Sequence, residues 1–364
     1  MSGLRSRRPR GFARIAALAA VLTLAGVGYD HHLTRARIRS AQSELVLLNT
    51  LRVSTLRQYW NTVDAEVVFW GLAPRVHAAL SEVGGGWSAL GDGADKTVRR
   101  LYIDENPHPL GARRKLASAG DGSAYSAAHA ALHPVARRFV EYRGYYDFFL
   151  ISPEGDVVYT VEKEDDFATN LIDGPYRETG LAEAFLAARD RAADGAVAFT
   201  DLARYAPSAE EPAMFAATAI RGHDGVLLGV LAVQLPIERI REIMQFTAGM
   251  GESGETYLVG EDGLMRSDSR FSETSTILST AVDTETVARA LRGESGVDVT
   301  DDYRGIPVLS AYSPIDRNGH RWAVMAEIDR ADVLAPLRET RQLTALGGLA
   351  VLLMVVVSWR VLAR

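Results

Sequence analysis

The sequence predicts an α+β fold: one long N-terminal helix and two similar antiparallel-sheet modules in tandem, flanked by two transmembrane helices. Three observations carry this reading. Both ends of the 364-residue chain are apolar and almost free of charge. Apolar residues recur at helical spacing through residues 31–80. An apolar strand followed by an acidic-glycine turn occurs twice, and so does its closing strand.

The first end runs uncharged from Ile15 to Tyr29, and Gly11, Phe12 and Ala13 extend it past Arg14, whose side chain can reach the interface. Arg5, Arg7, Arg8 and Arg10 precede it without an acidic residue, which places residues 1–10 in the cytoplasm and residues 11–29 in the membrane. A cleaved signal peptide is the competing reading. The second end, residues 342–360, is uncharged from Leu343 to Trp359, with Trp359 and Arg360 as interface anchors. A buried core helix is its competing reading. Two spans return residues 361–364 to the cytoplasm and leave residues 30–341 as a folded extracytoplasmic domain of an inner-membrane protein.

Within that domain, Leu45, Leu48, Leu56, Tyr59, Val63, Val67 and Trp70 form a stripe on a helix over 31–80. The stripe suits docking on the domain or pairing with a second copy in a homodimer. Gly84-Gly85-Gly86 is expected to break the chain, and residues 87–142 mix helix with turns. Phe148 to Ile151 and Val157 to Val161 form a hairpin around Ser152-Pro153-Glu154-Gly155. Ala213–Ile220 and Val226–Leu235 are further strands. The segment from Glu255 to Gly263 then lines up with Asp147 to Gly155, and Trp322–Asp329 with Gly229–Pro236. A helix-like segment follows each closing strand, from Ile237 and from Ala331. The two modules span about 87–247 and about 248–335.

The chemistry-bearing motifs are weak. A net charge of -6 argues against a nucleic-acid surface, and the chain has no cysteine for disulfides, thiolate metal sites or thiol nucleophiles. There is no Gly-x-Ser-x-Gly elbow and no phosphate-binding loop, so no catalytic residue, cofactor or metal is assigned and no enzyme is expected. Gly249-Met250-Gly251-Glu252-Ser253-Gly254 has dinucleotide-loop spacing, but a helix precedes it and a strand follows, the reverse of what that fold needs. It reads as the entry to the second module. His129 and His133 share a helix face, but Pro134 should end or kink that helix, and a structural or surface pair is expected. The acidic run Glu162–Asp166, which contains Lys163, reads as a solvated strand end, with a pocket mouth as the alternative.

The repeated segments resemble a known family. Gly144-Tyr145-Tyr146-Asp147-Phe148-Phe149-Leu150-Ile151 with Glu154-Gly155-Asp156, Gly254–Gly260 with Asp262-Gly263, and Met265–Phe271 are similar to double Cache sensor domains, tandem PAS-like modules between two membrane spans. The resemblance implies an input module of a transmembrane receptor, such as a chemoreceptor, histidine kinase or nucleotidyl cyclase. It implies a small-molecule ligand in the membrane-distal module, over the sheet and under a lid at about Asp165–Phe215. Tyr146, Phe149, Tyr159, Lys163, Asp201, Tyr205 and Phe215 are the residues expected to line that pocket. The amino-acid-binding subgroup carries an Arg-x-Trp pair early in the distal module and an Asp near its end, and neither is evident here. In the family a HAMP linker and an output domain follow the second span. This sequence stops at Arg364, so the expectation is a truncated receptor or one read by a separate cytoplasmic signalling protein. A membrane-anchored binding protein without signalling output is the alternative.

Overall fold

The computed structural model describes residues 8–190, 196–246 and 249–362. Arg5, Arg7 and Arg364 lie outside the described residues, as do the side chains of Arg8, Arg10, Arg14 and Trp359.

One helix, α1, runs unbroken from Arg8 to Leu72. The apolar N-terminal segment and the predicted domain helix are therefore one rod. It ends earlier than residue 80, at Ala73, which is extended (φ −67°, ψ 124°) ahead of Pro74. Proline pushes the preceding residue out of the helical region and suits the first helical position, so Pro74 stops one helix and starts the next, α2 (Pro74–Ala89). The expected break at Gly84–Gly86 is absent because these glycines lie inside α2. A Cβ on Gly86 would sit 2.6 Å from the Tyr125 Cα, so this glycine serves helix-to-helix approach.

Short helical turns follow: α3 (Ala94–Arg99), a π-helical turn at Arg100–Asp104 and a 3-10 turn at Arg113–Lys115. Next comes α4 (Ala124–Arg143), capped by the Ser123 side chain, which accepts from the Ser126 N–H, and closed by Gly144 at φ 74°. It continues through Pro134, contrary to expectation, held by the buried residues Leu132, Ala136, Phe139 and Val140 on one face.

The distal module is built on β1 (Asp147–Ile151), β2 (Val157–Thr160), β3 (Val197–Phe199), β6 (Phe215–Arg221) and β7 (Leu227–Gln234), in sheet order β2-β1-β7-β6-β3. Helix α5 (Gly180–Asp190) and the two-stranded β4 (Ala203–Tyr205) and β5 (Glu211–Ala213) lie between β2 and β6. The predicted lid thus donates its own edge strand, β3, to the sheet. One sheet face meets α1, α2 and α4 through Trp70, Phe139 and Phe148, with ring centroids of Trp70 at 4.6 Å from Phe139 and 5.8 Å from Phe148.

Helix α6 (Ile237–Gln245) leads to the proximal module, where β8 (Glu255–Val259), β9 (Gly296–Asp301), β10 (Pro307–Arg317) and β11 (His320–Asp329) form a sheet in order β8-β11-β10-β9, with α7 (Glu285–Leu291) on it. The glycine-rich segment before β8 is a tight turn: Gly249 and Gly251 have φ 83° and 63°, and the Gly254 N–H donates to Met250 O at 3.0 Å.

Helix α8 (Arg330–Leu334) passes into α9 (Leu337–Leu362). Among the described residues one stretch, Leu337–Ser358, is long and apolar enough to cross a membrane. Near its start Arg341 binds back to α1, donating to Asp30 Oδ1 at 2.8 Å and Thr34 Oγ1 at 2.7 Å.

Candidate functional site

The aligned strands place equivalent residues at equivalent positions. Asp147 opens β1 opposite Gln234 of β7, and Glu255 opens β8 opposite Glu327 of β11. All four side chains are buried. Strand alternation puts Asp147 on the same face as Phe149, the face covered by α5 and the lid. Phe149 meets Phe215 there, and Phe215 meets Tyr205, with ring centroids 6.2 Å and 4.9 Å apart. These three predicted residues come together as an aromatic floor.

Around that floor lies a polar cluster that includes the acidic run Glu162–Asp166. Asp147 is saturated with donors: the N–H groups of Phe148 at 2.6 Å, Val161 at 2.8 Å and Glu162 at 3.1 Å, together with the Thr160 hydroxyl. It ties the end of β2 to β1. The segment after β2 then turns inward. Glu162, Lys163, Glu164 and Asp166 are buried and Asp165 alone is exposed, so the expected solvated strand end is a buried acidic loop. The physical reason is that its carboxylates have donors, from Arg114 to Glu162, from Tyr146 ahead of β1 and from the lid. Glu164 accepts from the Tyr146 hydroxyl at 2.6 Å and the Ser208 hydroxyl at 2.6 Å, and Asp166 accepts from the Tyr205 hydroxyl at 2.5 Å. Gln234 reaches Ser208 through its amide nitrogen at 3.4 Å.

Acceptors outnumber donors. Asp166 Oδ1 and Gln234 Oε1 are buried without a hydrogen bond, a state that native interiors avoid. Burial raises Asp166 to about 7, and nearby Glu164 and Asp165 push the same way against the Tyr205 hydrogen bond. Burial also raises Asp147 well above the carboxylate range, helped by Asp166, and raises Glu164. Left-handed backbone surrounds the cluster: Lys163, Ala168, Ala209 and Glu210 have φ 59°, 60°, 55° and 63°. Such strain in residues other than glycine gathers at functional sites.

The other predicted residues separate. Tyr159 and Lys163 point to the helical face. The Tyr159 hydroxyl is 2.8 Å from His133 Nδ1, and Lys163 Nζ donates to Val161 O at 3.1 Å. Burial lowers Lys163 to about 7 and His133 to about 3, and holds His129 well below its ordinary value. The two histidines stack inside the module with centroids 5.0 Å apart, so they are a core pair. Asp201 lies apart from these groups and joins the modules. Arg266 donates to it through two nitrogens, at 3.1 Å and 2.8 Å, and Trp322 Nε1 donates at 2.8 Å. Burial alone would raise the Asp201 carboxyl, but the guanidinium and the indole N–H hold it below its usual value.

The distal module thus has a closed sheet face with an aromatic floor, a short-stranded lid and inward polar groups. The chain belongs to the Cache domain family of the double type (dCache_1), which matches residues 105–337. No curated protein matches it. Solved structures similar to it include the sensory domain of the Campylobacter jejuni chemoreceptor Tlp3 with isoleucine bound, at 12% identity and TM-score 0.48, over 83% of this chain and 97% of that one. The ligand-binding domain of the Pseudomonas aeruginosa amino acid chemoreceptor PctB with L-Arg is 16% identical, with TM-score 0.40, over 80% and 95%. The Pseudomonas fluorescens chemoreceptor CtaA domain with L-serine is 14% identical, with TM-score 0.37, over 70% and 93%.

Proposed function

We propose that this chain is the input module of a two-pass membrane receptor whose distal module binds a small molecule bearing a protonated amine. The surplus of buried acceptors carries this reading. Asp166 Oδ1 and Gln234 Oε1 lack donors beside Glu164, on a floor of Phe149, Tyr205 and Phe215. An ammonium group supplies both N–H donors and positive charge, and the aromatic faces add cation–π attraction. Tyr146 and Ser208 would orient it through Glu164.

The signal would pass along α1, which touches both modules and meets α9 at Arg341. The ligand has to favour one arrangement of lid and helix over another, and only that difference in affinity can move the equilibrium. The two spans, the cytoplasmic ends and a homodimer through the exposed side of α1 complete the proposal. Exposed Val46, Leu47 and Leu51 on that helix support the last point.

The test is a thermal-shift screen of the full chain in detergent. It compares amino acids, simple amines, carboxylic acids and neutral sugars at matched ionic strength. Amine-bearing compounds should raise the unfolding midpoint of the wild type and leave Asp166→Asn unmoved. A hit confined to carboxylic acids or sugars would remove the amine assignment.

A further inference from the structure

The lid of the distal site is gripped from outside by the proximal module. Strand β3, the lid's contribution to the sheet, lies at the sheet edge, and the tip of the β10–β11 hairpin reaches across to it. Asn318 Nδ2 donates to Val197 O at 2.9 Å. The Arg317 guanidinium lies 4.0 Å from the centre of the Phe199 ring and also pairs with Asp64 of α1. Just beyond β3, Asp201 accepts from Trp322 Nε1 and from two nitrogens of Arg266.

Both ends of this contact are fixed within their own modules. Arg266 is buried, its backbone N–H donates to Leu258 O at 2.8 Å, and its guanidinium also binds Asp262 at 2.9 Å and 3.0 Å. Trp322 is buried against Trp60 of α1, with ring centroids 5.7 Å apart. On the lid side, the Thr200 N–H donates to Phe215 O and the Phe215 N–H to the Thr200 hydroxyl, both at 3.1 Å. Four residues after Asp201, Tyr205 donates to Asp166. Asp201 therefore stands between one residue that holds the aromatic floor and another that holds the acidic cluster. Without Asp201 the buried guanidinium would keep only the exposed carboxylate of Asp262, and an under-paired buried charge is costly. A shift of the lid is thus either resisted by the proximal module or passed on to it.

From Trp322 the distance to α9 is one strand and one short helix. Strand β11 spans about 30 Å at the rise of an antiparallel strand and passes directly into α8. Val333 of α8 is buried with Ala41 and Leu45 of α1 and Ala326 of β11, and α9 follows. We propose that Asp201 is a positioning residue that couples the two modules. Through Arg266 and Trp322 the proximal module sets the position of the lid, and β11 carries a change in the lid to α8 and α9, beside the route along α1. Such coupling is reciprocal, so the state of α8 and α9 also biases the lid. The inference rests on the binding reading above only for what moves the lid, not for the coupling itself.

The experiment is amide hydrogen exchange on the full chain in detergent, with no ligand added. Tyr205→Phe supplies the disturbance in the lid, because it removes the hydroxyl that binds Asp166 and keeps the ring. It should change exchange across residues 320–334 by about threefold or more and leave β9, at the far edge of the same sheet, at its wild-type rate. With Asp201→Ala in the same chain, the response at 320–334 should vanish while the response in the lid remains. Asp201→Asn is the second variant, for the case that alanine unfolds the chain. It keeps the shape of the side chain, cannot balance the Arg266 charge, and should cut the response in the same way. A segment 320–334 unmoved by Tyr205→Phe overturns the proposal. So does a response that survives the Asp201 substitutions or that spreads equally through β9. No amine enters the experiment, so an amine screen without hits would strike the binding assignment and leave this coupling standing.

Discussion

The two modules share a strand plan and differ in how α1 is held against them. In the distal module the contact is aromatic: Phe148, on the helical face of β1, packs against Trp70 of α1 and Phe139 of α4. The aligned residue in the proximal module is Thr256, and there the apolar packing of Ala41 and Leu45 with Leu309 and Ala311, and of Trp60 with Trp322, is joined by buried hydrogen bonds. Arg52 of α1 donates to the Thr256 hydroxyl at 3.2 Å and to Phe246 O, and Asn49 donates to Val324 O at 2.6 Å. Apolar packing is tolerant of direction but costly to empty, whereas hydrogen bonds are cheaper to lose and fix register. The distal end of α1 is therefore anchored by aromatic burial, and the end nearer the membrane combines burial with hydrogen bonds that index its register. A ligand-driven change in the distal module would reach the membrane through that indexed contact.

Substitutions can break this contrast at either end. The largest effect belongs to Phe148→Ala, which should lower the stability of the distal module by about 3–5 kcal/mol in a denaturant melt, with the proximal sheet melting later. A single cooperative loss of both modules would show that they are not separately held. Asp166→Asn comes next and acts in the opposite direction. The folded chain keeps a proton on Asp166 up to about 7, whereas its ordinary value is 3.8. Stability from this group is thus full below about 3.8, declines as pH rises from there and is lost above about 7. Asparagine removes that loss, so the ligand-free variant should gain ~2 kcal/mol at pH 8, less near pH 5 and nothing below about pH 3.8. An unchanged pH profile would place the titration elsewhere.

Asn49→Ala should cost about 1–2 kcal/mol, since it strips donors from two buried carbonyls, and it should loosen hydrogen exchange in β10 and β11 while sparing β1. Arg239→Ala, which breaks an exposed pair with Glu242, should change stability by less than about 0.5 kcal/mol and calibrates the series.

Much of the fold was legible because burial repeats with the period of each element. The two hairpin-like strands, their closing partners and the helix stripe at Leu45, Leu56, Val63 and Val67 all lie where alternation and helical spacing put them. The boundary at Ala73 is also written in the sequence, in Pro74, which follows the last stripe residue, Trp70. Gly86 misled because a triple glycine signals a break unless a neighbouring helix needs the space. Less of the candidate site was readable. Tyr205, Phe149 and Phe215 could be grouped because aromatics on facing strands tend to meet. Asp166 and Glu164 could not, because charge predicts solvent until donors such as Tyr205 and Ser208 are brought from far along the chain. Asp201 failed for the converse reason: its partner Arg266 belongs to the other module. The one sequence signal for the buried polar pair in each module was the repeat itself, which aligns Asp147 with Glu255 and Gln234 with Glu327.

One measurement tests the account most directly, a thermal-shift experiment on the full chain at pH 8. Wild type, Asp166→Asn and Asn49→Ala are each scanned with and without an amine that the screen selects. The account predicts that Asp166→Asn loses the amine shift and that Asn49→Ala, whose hydrogen bonds lie in the proximal module, keeps it. If both variants lose the shift, or if neither does, the assignment of an amine to the distal module is wrong.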